Sequence, residues 1–170
     1  MSLDYNISSV FLLLPLFIQL NMIEICMIIS IALVSFLYHT NREIDAKRGN
    51  YLQKHTKILY YVDRFQIQMG FSYIILRYLP LVYQLPLYFI ISIMFENNII
   101  LGIIILLSII KTALINPHNL IIIFIGSIIA AIGYHGMPLE KGEHKITVWS
   151  EYYKCMWHMG MAITTIGLLS

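Results

Sequence analysis

The chain has 170 residues, of which 59% are hydrophobic and 12% charged, with a formal net charge of +2. A soluble domain carries about 25% charge, so this composition excludes a soluble globular protein and points to one integral-membrane domain over residues 1–170. No Lys/Arg run is interleaved with aromatics, which excludes a nucleic-acid partner. Membrane lipids are the expected partners, and nothing in the chain identifies a protein partner.

Apolar segments run over 8–20, 22–39, 58–76, 81–95, 99–115, 120–134 and 147–169. Lipid cannot satisfy exposed backbone N–H and C=O groups, and the segments lack the alternation of barrel strands, so each is expected to be a helix. The predicted fold is therefore all-α, a polytopic bundle of seven transmembrane helices. The first segment would rise only about 20 Å against a hydrocarbon core of about 30 Å, and it contains Pro15. If it is a re-entrant arm, the count falls to six. Asp4, with no Lys or Arg in the residues around it, does not fit a cleaved signal peptide.

Of the 11 basic residues, all except Arg77 and Lys111 lie in or beside the connections at 41–57 and 136–146. The positive-inside rule places those two connections in the cytoplasm and the C-terminus outside. The N-terminus is cytoplasmic if the first segment spans. Cys26 and Cys155 fall near opposite ends of their helices, so no disulfide is expected. Glu24 is expected to snorkel at the outer end of its span, and Gly102, Gly126, Gly133 and Gly160 to be helix-packing positions.

Ionisable groups inside a membrane span cost at least roughly 2.5 kcal/mol each, so those present ask for partners or a cavity. The second span ends Ser35-Phe36-Leu37-Tyr38-His39, the third begins Tyr60-Tyr61-Val62-Asp63-Arg64, the sixth ends Gly133-Tyr134-His135, and the seventh contains Lys154-Cys155-Met156-Trp157-His158. Ser35 and His39 share a helical face. Four helices thus deliver Ser, His, Asp and Cys to one membrane depth, the composition of a metal or acid/base site. Each residue also has a plainer reading. Ser35 would bond its own helix, His39 and the tyrosines would sit at the interface, and Asp63 would be a local charge beside Arg64.

Ser-Phe-Leu-Tyr-His-Thr at 35–40, an Asp early in the next span at 63 and the aromatic-His pair at 157–158 resemble the signature of the CREST membrane hydrolases. That superfamily includes alkaline ceramidases, progestin and adipoQ receptors, and myomaker-like proteins. The resemblance implies a seven-helix bundle with zinc near the cytoplasmic leaflet, His39 and His158 as ligands, and Ser35 and Asp63 holding the water that attacks a lipid amide or ester. A catalytic zinc takes three protein ligands and an open position. Where the family has its other His, this chain has Lys154, whose ammonium has no lone pair for a metal. Cys155, three residues from His158, is a replacement ligand that spacing allows, and His135 is another if the sixth helix neighbours the seventh. Otherwise Lys154 stands as a fixed cation, paired with Asp63 or Glu151. The alternative function is then an inactive protein of the same fold, acting in membrane remodelling, fusion or lipid binding.

Overall fold

The computed structural model describes residues 7–49, 52–77, 79–94, 98–136 and 151–170. Seven helical segments and no strand occur among the described residues: an N-terminal 3-10 helix, Ile7–Phe17, then α1 Met22–Lys47, α2 Lys54–Leu76, α3 Leu81–Ile93, α4 Asn98–Ile115, α5 Asn119–Gly136 and α6 Glu151–Leu169. The all-α class therefore holds. Among the described residues, only α1 and α5 are long and apolar enough by length and composition to cross a membrane. The first segment is a short 3-10 helix with Pro15 inside it, in keeping with the doubt its length raised. The basic residues Lys141 and Lys145 and the start of the seventh segment at 147 lie outside the described residues.

Local chemistry sets the helix ends. Asn21 and Glu24 form a capping box: Asn21 Oδ1 accepts from Glu24 N at 2.9 Å, and Glu24 Oε2 accepts from Asn21 N at 2.9 Å. At the other end of α1, Gly49 adopts φ 65°, a left-handed turn that glycine makes without steric cost. The capping side chain for α2 comes from α1: Asp45 Oδ2 accepts from Gln53 N at 2.9 Å and Thr56 Oγ1 at 2.8 Å. The α1–α2 connection is thus much shorter than the polar stretch 41–57 suggests. Both helices extend into that stretch.

Contacts at the termini make the helices antiparallel neighbours. Arg77, just past α2, pairs with Glu24 at 2.5 Å and donates to Leu169 O of α6 at 3.5 Å. Lys111 of α4 donates to Ile74 O at 2.7 Å and Ile75 O at 3.1 Å, and Asn116 Nδ2 donates to Ser170 O at 3.2 Å. The start of α1 and the ends of α2, α4 and α6 therefore share one end of the bundle, here the Arg77 end. Glu24 is buried there by its cap and its ion pair, which corrects the expectation that it snorkels. The apolar core, including Ile28, Phe71, Ile74, Ile123 and Leu168, lies behind this cluster.

α5 and α6 pack through small residues. A Cβ at Gly126 would meet Thr164 N at 2.5 Å and Gly160 O at 2.8 Å, and Gly133 and Gly160 are as tightly enclosed. At Gly102, by contrast, a Cβ meets nothing within 4 Å among the described residues.

The distribution of polarity is the reverse of a soluble protein's. Arg42, Lys154, His158, Gln68 and Asp45 are among the largest fully buried side chains, while Leu33, Phe89, Ile93, Ile121 and Phe124 are exposed. Only 33% of the most apolar stretch of α1, and 22% of that of α5, is buried. Neither is therefore the enclosed core helix of a soluble domain.

Candidate functional site

The end opposite Arg77 gathers the polar residues. On α1, Ser35, His39 and Glu43 recur every four residues and form one inward stripe, and all three are buried. On α6, Lys154 and His158 stand four apart, and both are about 1% exposed. The two stripes meet. The His39 and His158 rings lie 5.0 Å apart, edge to face, and Trp157 approaches His39 edge-on at 6.0 Å. One turn further along, Lys154 forms an ion pair with Glu43.

The 3-10 helix contributes the remaining wall. Ser8 Oγ lies 2.9 Å from His158 Nδ1 in a buried contact, which fixes the ring and turns Nε2 inward. His158 Nε2 has no hydrogen-bond partner among the described residues. Asp63, buried on α2, lies near enough to the Ser35 hydroxyl and the Arg64 guanidinium for both to act on its carboxyl. Its Oδ1 likewise has no partner among the described residues.

Ser35 and His158 also line a cavity of about 60 Å³. Its other walls are mostly apolar, with Leu12 from the 3-10 helix, Met27 and Ile31 from α1, Ile67 and Phe71 from α2 and Met161 from α6. Ser35, His158 and Thr165 are its polar lining residues, and the rest of the wall is apolar or aromatic.

Of the residues singled out from the sequence, the structure therefore brings together Ser35 with Asp63 and His39 with His158. It does not complete the metal set. Among the described residues no group of three or more His, Cys, Asp and Glu side chains could hold a metal ion. Cys155 is a half-buried thiol one residue from Lys154, on the helix position beside the His158 stripe. His135 stacks edge-on against Tyr134 at the end of α5, with ring centroids 5.7 Å apart. Arg42 and Lys154 both act electrostatically on His39, and two cations oppose a divalent ion there. This donor set does not fit a catalytic zinc, which needs three ligands.

Lys154 forms an ion pair with Glu43, an acid that the sequence reading did not name for it; the side chain of Glu151 lies outside the described ones. Sequence reading missed Glu43, Arg42 and Ser8. Glu43 was legible as the next step of the Ser35–His39 stripe, but ending the span at His39 assigned it to a loop. Ser8 carries no signal beyond being a hydroxyl in an apolar segment.

No protein-family model, curated protein or solved structure matches this chain.

Proposed function

We propose that this chain is a multi-pass membrane protein of the CREST type that holds a membrane lipid at the histidine end without hydrolysing it. The α1–α2 hairpin would face the cytoplasm and the Arg77 end the opposite side, with the C-terminus non-cytoplasmic. Support for the bundle comes from the antiparallel helices, the polar interior and the apolar exterior.

One observation carries the non-hydrolytic reading. Lys154 occupies the position of the family's other ligand His and is tied to Glu43, so an internal ion pair takes the place of a third metal ligand. The lipid's polar part would meet His158 Nε2, Ser35 and Asp63, and its chain would lie along the apolar cavity. Metal analysis of the purified protein tests this directly. The unmodified chain should carry no stoichiometric zinc, and Lys154→His should gain zinc that is lost again with His39→Ala or His158→Ala.

A second reading, zinc-dependent hydrolysis of a lipid amide or ester, is favoured by the contact of His39 with His158 and of Ser35 with Asp63. It needs a third metal donor that the described residues do not bring to the site. Stoichiometric zinc in the unmodified chain would establish it in place of the first.

A further inference from the structure

Toward the tip of the α1–α2 hairpin the acids are turned inward: Glu43 against Lys154, Asp45 onto Gln53 and Thr56, and Asp63 toward Ser35, with Arg42 buried beside them. Between positions 46 and 62 the sequence has no Asp or Glu. In that stretch Lys47, Arg48, Lys54, His55 and Lys57 are all exposed. Among the described residues of the hairpin tip the exposed charges are therefore all positive. The other connection expected on this side differs in sequence, where Glu140 and Glu143 balance Lys141 and Lys145.

The basic tip also borders apolar surface. On α1 the exposed Ile44 lies one turn before Lys47 and Arg48. On α2 the exposed Lys54 and Lys57 are followed by exposed Ile58, Tyr61 and Val62. Both helices change from apolar to basic at the same level, and Asp45 holds them in that register.

We propose that this hairpin tip binds the anionic headgroups of the leaflet in which the bundle sits, a proposal that rests on the membrane reading above. A lipid covers both surfaces at once, its phosphate against Arg48, Lys54 and Lys57 and its chains against Ile44, Ile58 and Tyr61. A soluble polyanion or an acidic peptide would leave the apolar rim uncovered. Juxtamembrane basic clusters attract acidic lipids in this way, with each Lys or Arg near the surface contributing about fivefold.

The test uses the full chain reconstituted in phosphatidylcholine vesicles containing a trace of spin-labelled phosphatidylserine or spin-labelled phosphatidylcholine. The fraction of each label immobilised by the protein gives its lipid preference. The native chain should prefer phosphatidylserine, and the triple variant Arg48→Gln, Lys54→Gln, Lys57→Gln should lose at least about fivefold of that preference. Added salt should weaken the native preference by screening. Equal immobilisation of the two lipids by the native chain, or an unchanged preference in the variant, would overturn the proposal. So would charge-dependent binding of an oligonucleotide or acidic peptide without any lipid preference. Failure of the native chain to resist alkaline extraction from neutral vesicles would instead remove the membrane reading itself, and this proposal with it.

Discussion

At the Arg77 end, buried charge is spent on holding helices together. Arg77 spans Glu24 and the last carbonyls of α6, and Lys111 takes two carbonyls at the end of α2, where the helix dipole favours a cation. The histidine end uses one ion pair, Lys154–Glu43, in the same structural way. Beside that pair it keeps His158 Nε2 and Asp63 Oδ1 with no hydrogen-bond partner among the described residues, and His158 lines an apolar cavity. Buried polar atoms left unbonded cost about 1–3 kcal/mol each. Such atoms alone do not separate the two ends, since Asn119 Nδ2 at the start of α5 also has no hydrogen-bond partner among the described residues; what sets the histidine end apart is the pair of facing histidine rings with His158 on an apolar cavity.

Substitutions can break this contrast in order of size. Lys154→Met leaves Glu43 as a buried charge without its ion-pair partner and should destabilise the protein by about 3–5 kcal/mol. Adding Glu43→Leu should recover most of the loss. Thermal unfolding in detergent measures both, and a neutral single variant would mean that the ion pair does not hold α1 to α6. Arg77→Ala should cost about 2 kcal/mol by the same measurement, the scale of hydrogen bonds to a charged group, because Glu24 keeps its place in the capping box. Ser8→Ala removes one buried contact to His158 and should cost about 1 kcal/mol. Its sharper signature is an imidazole resonance of His158 that broadens as the ring loses its anchor. The smallest stability effect is expected from Asp63→Asn, below that of Ser8→Ala, since the amide has the carboxylate's shape and removes a buried charge. Lipid retained through purification should nevertheless fall, and a variant that kept its lipid while unfolding early would reverse the roles assigned to the two ends.

Much of the helix order was legible because apolar runs broken by Asn, Pro and Gly leave little choice of element. The helix boundaries were not. Basic residues from 42 onward resemble a loop, yet α1 continues to Lys47 because Arg42, Glu43 and Asp45 are buried, and α6 and the start of α2 give Glu43 and Asp45 partners. The convergence of His39 with His158 could be anticipated from depth alone, since each lies near the same end of its helix. The partner of Lys154 could not, because helix rotation decides which acid it faces. The short 3-10 helix was discounted for its length, and its Ser8 proves to be the contact that orients His158.

The account turns on whether Lys154 has replaced a metal. Zinc content, measured on protein purified without chelator beside Lys154→His, tests this most directly. The account predicts no stoichiometric zinc in the native chain and a gain in the variant that His39→Ala abolishes. Stoichiometric zinc in the native chain, lost with His39→Ala or His158→Ala, would contradict it.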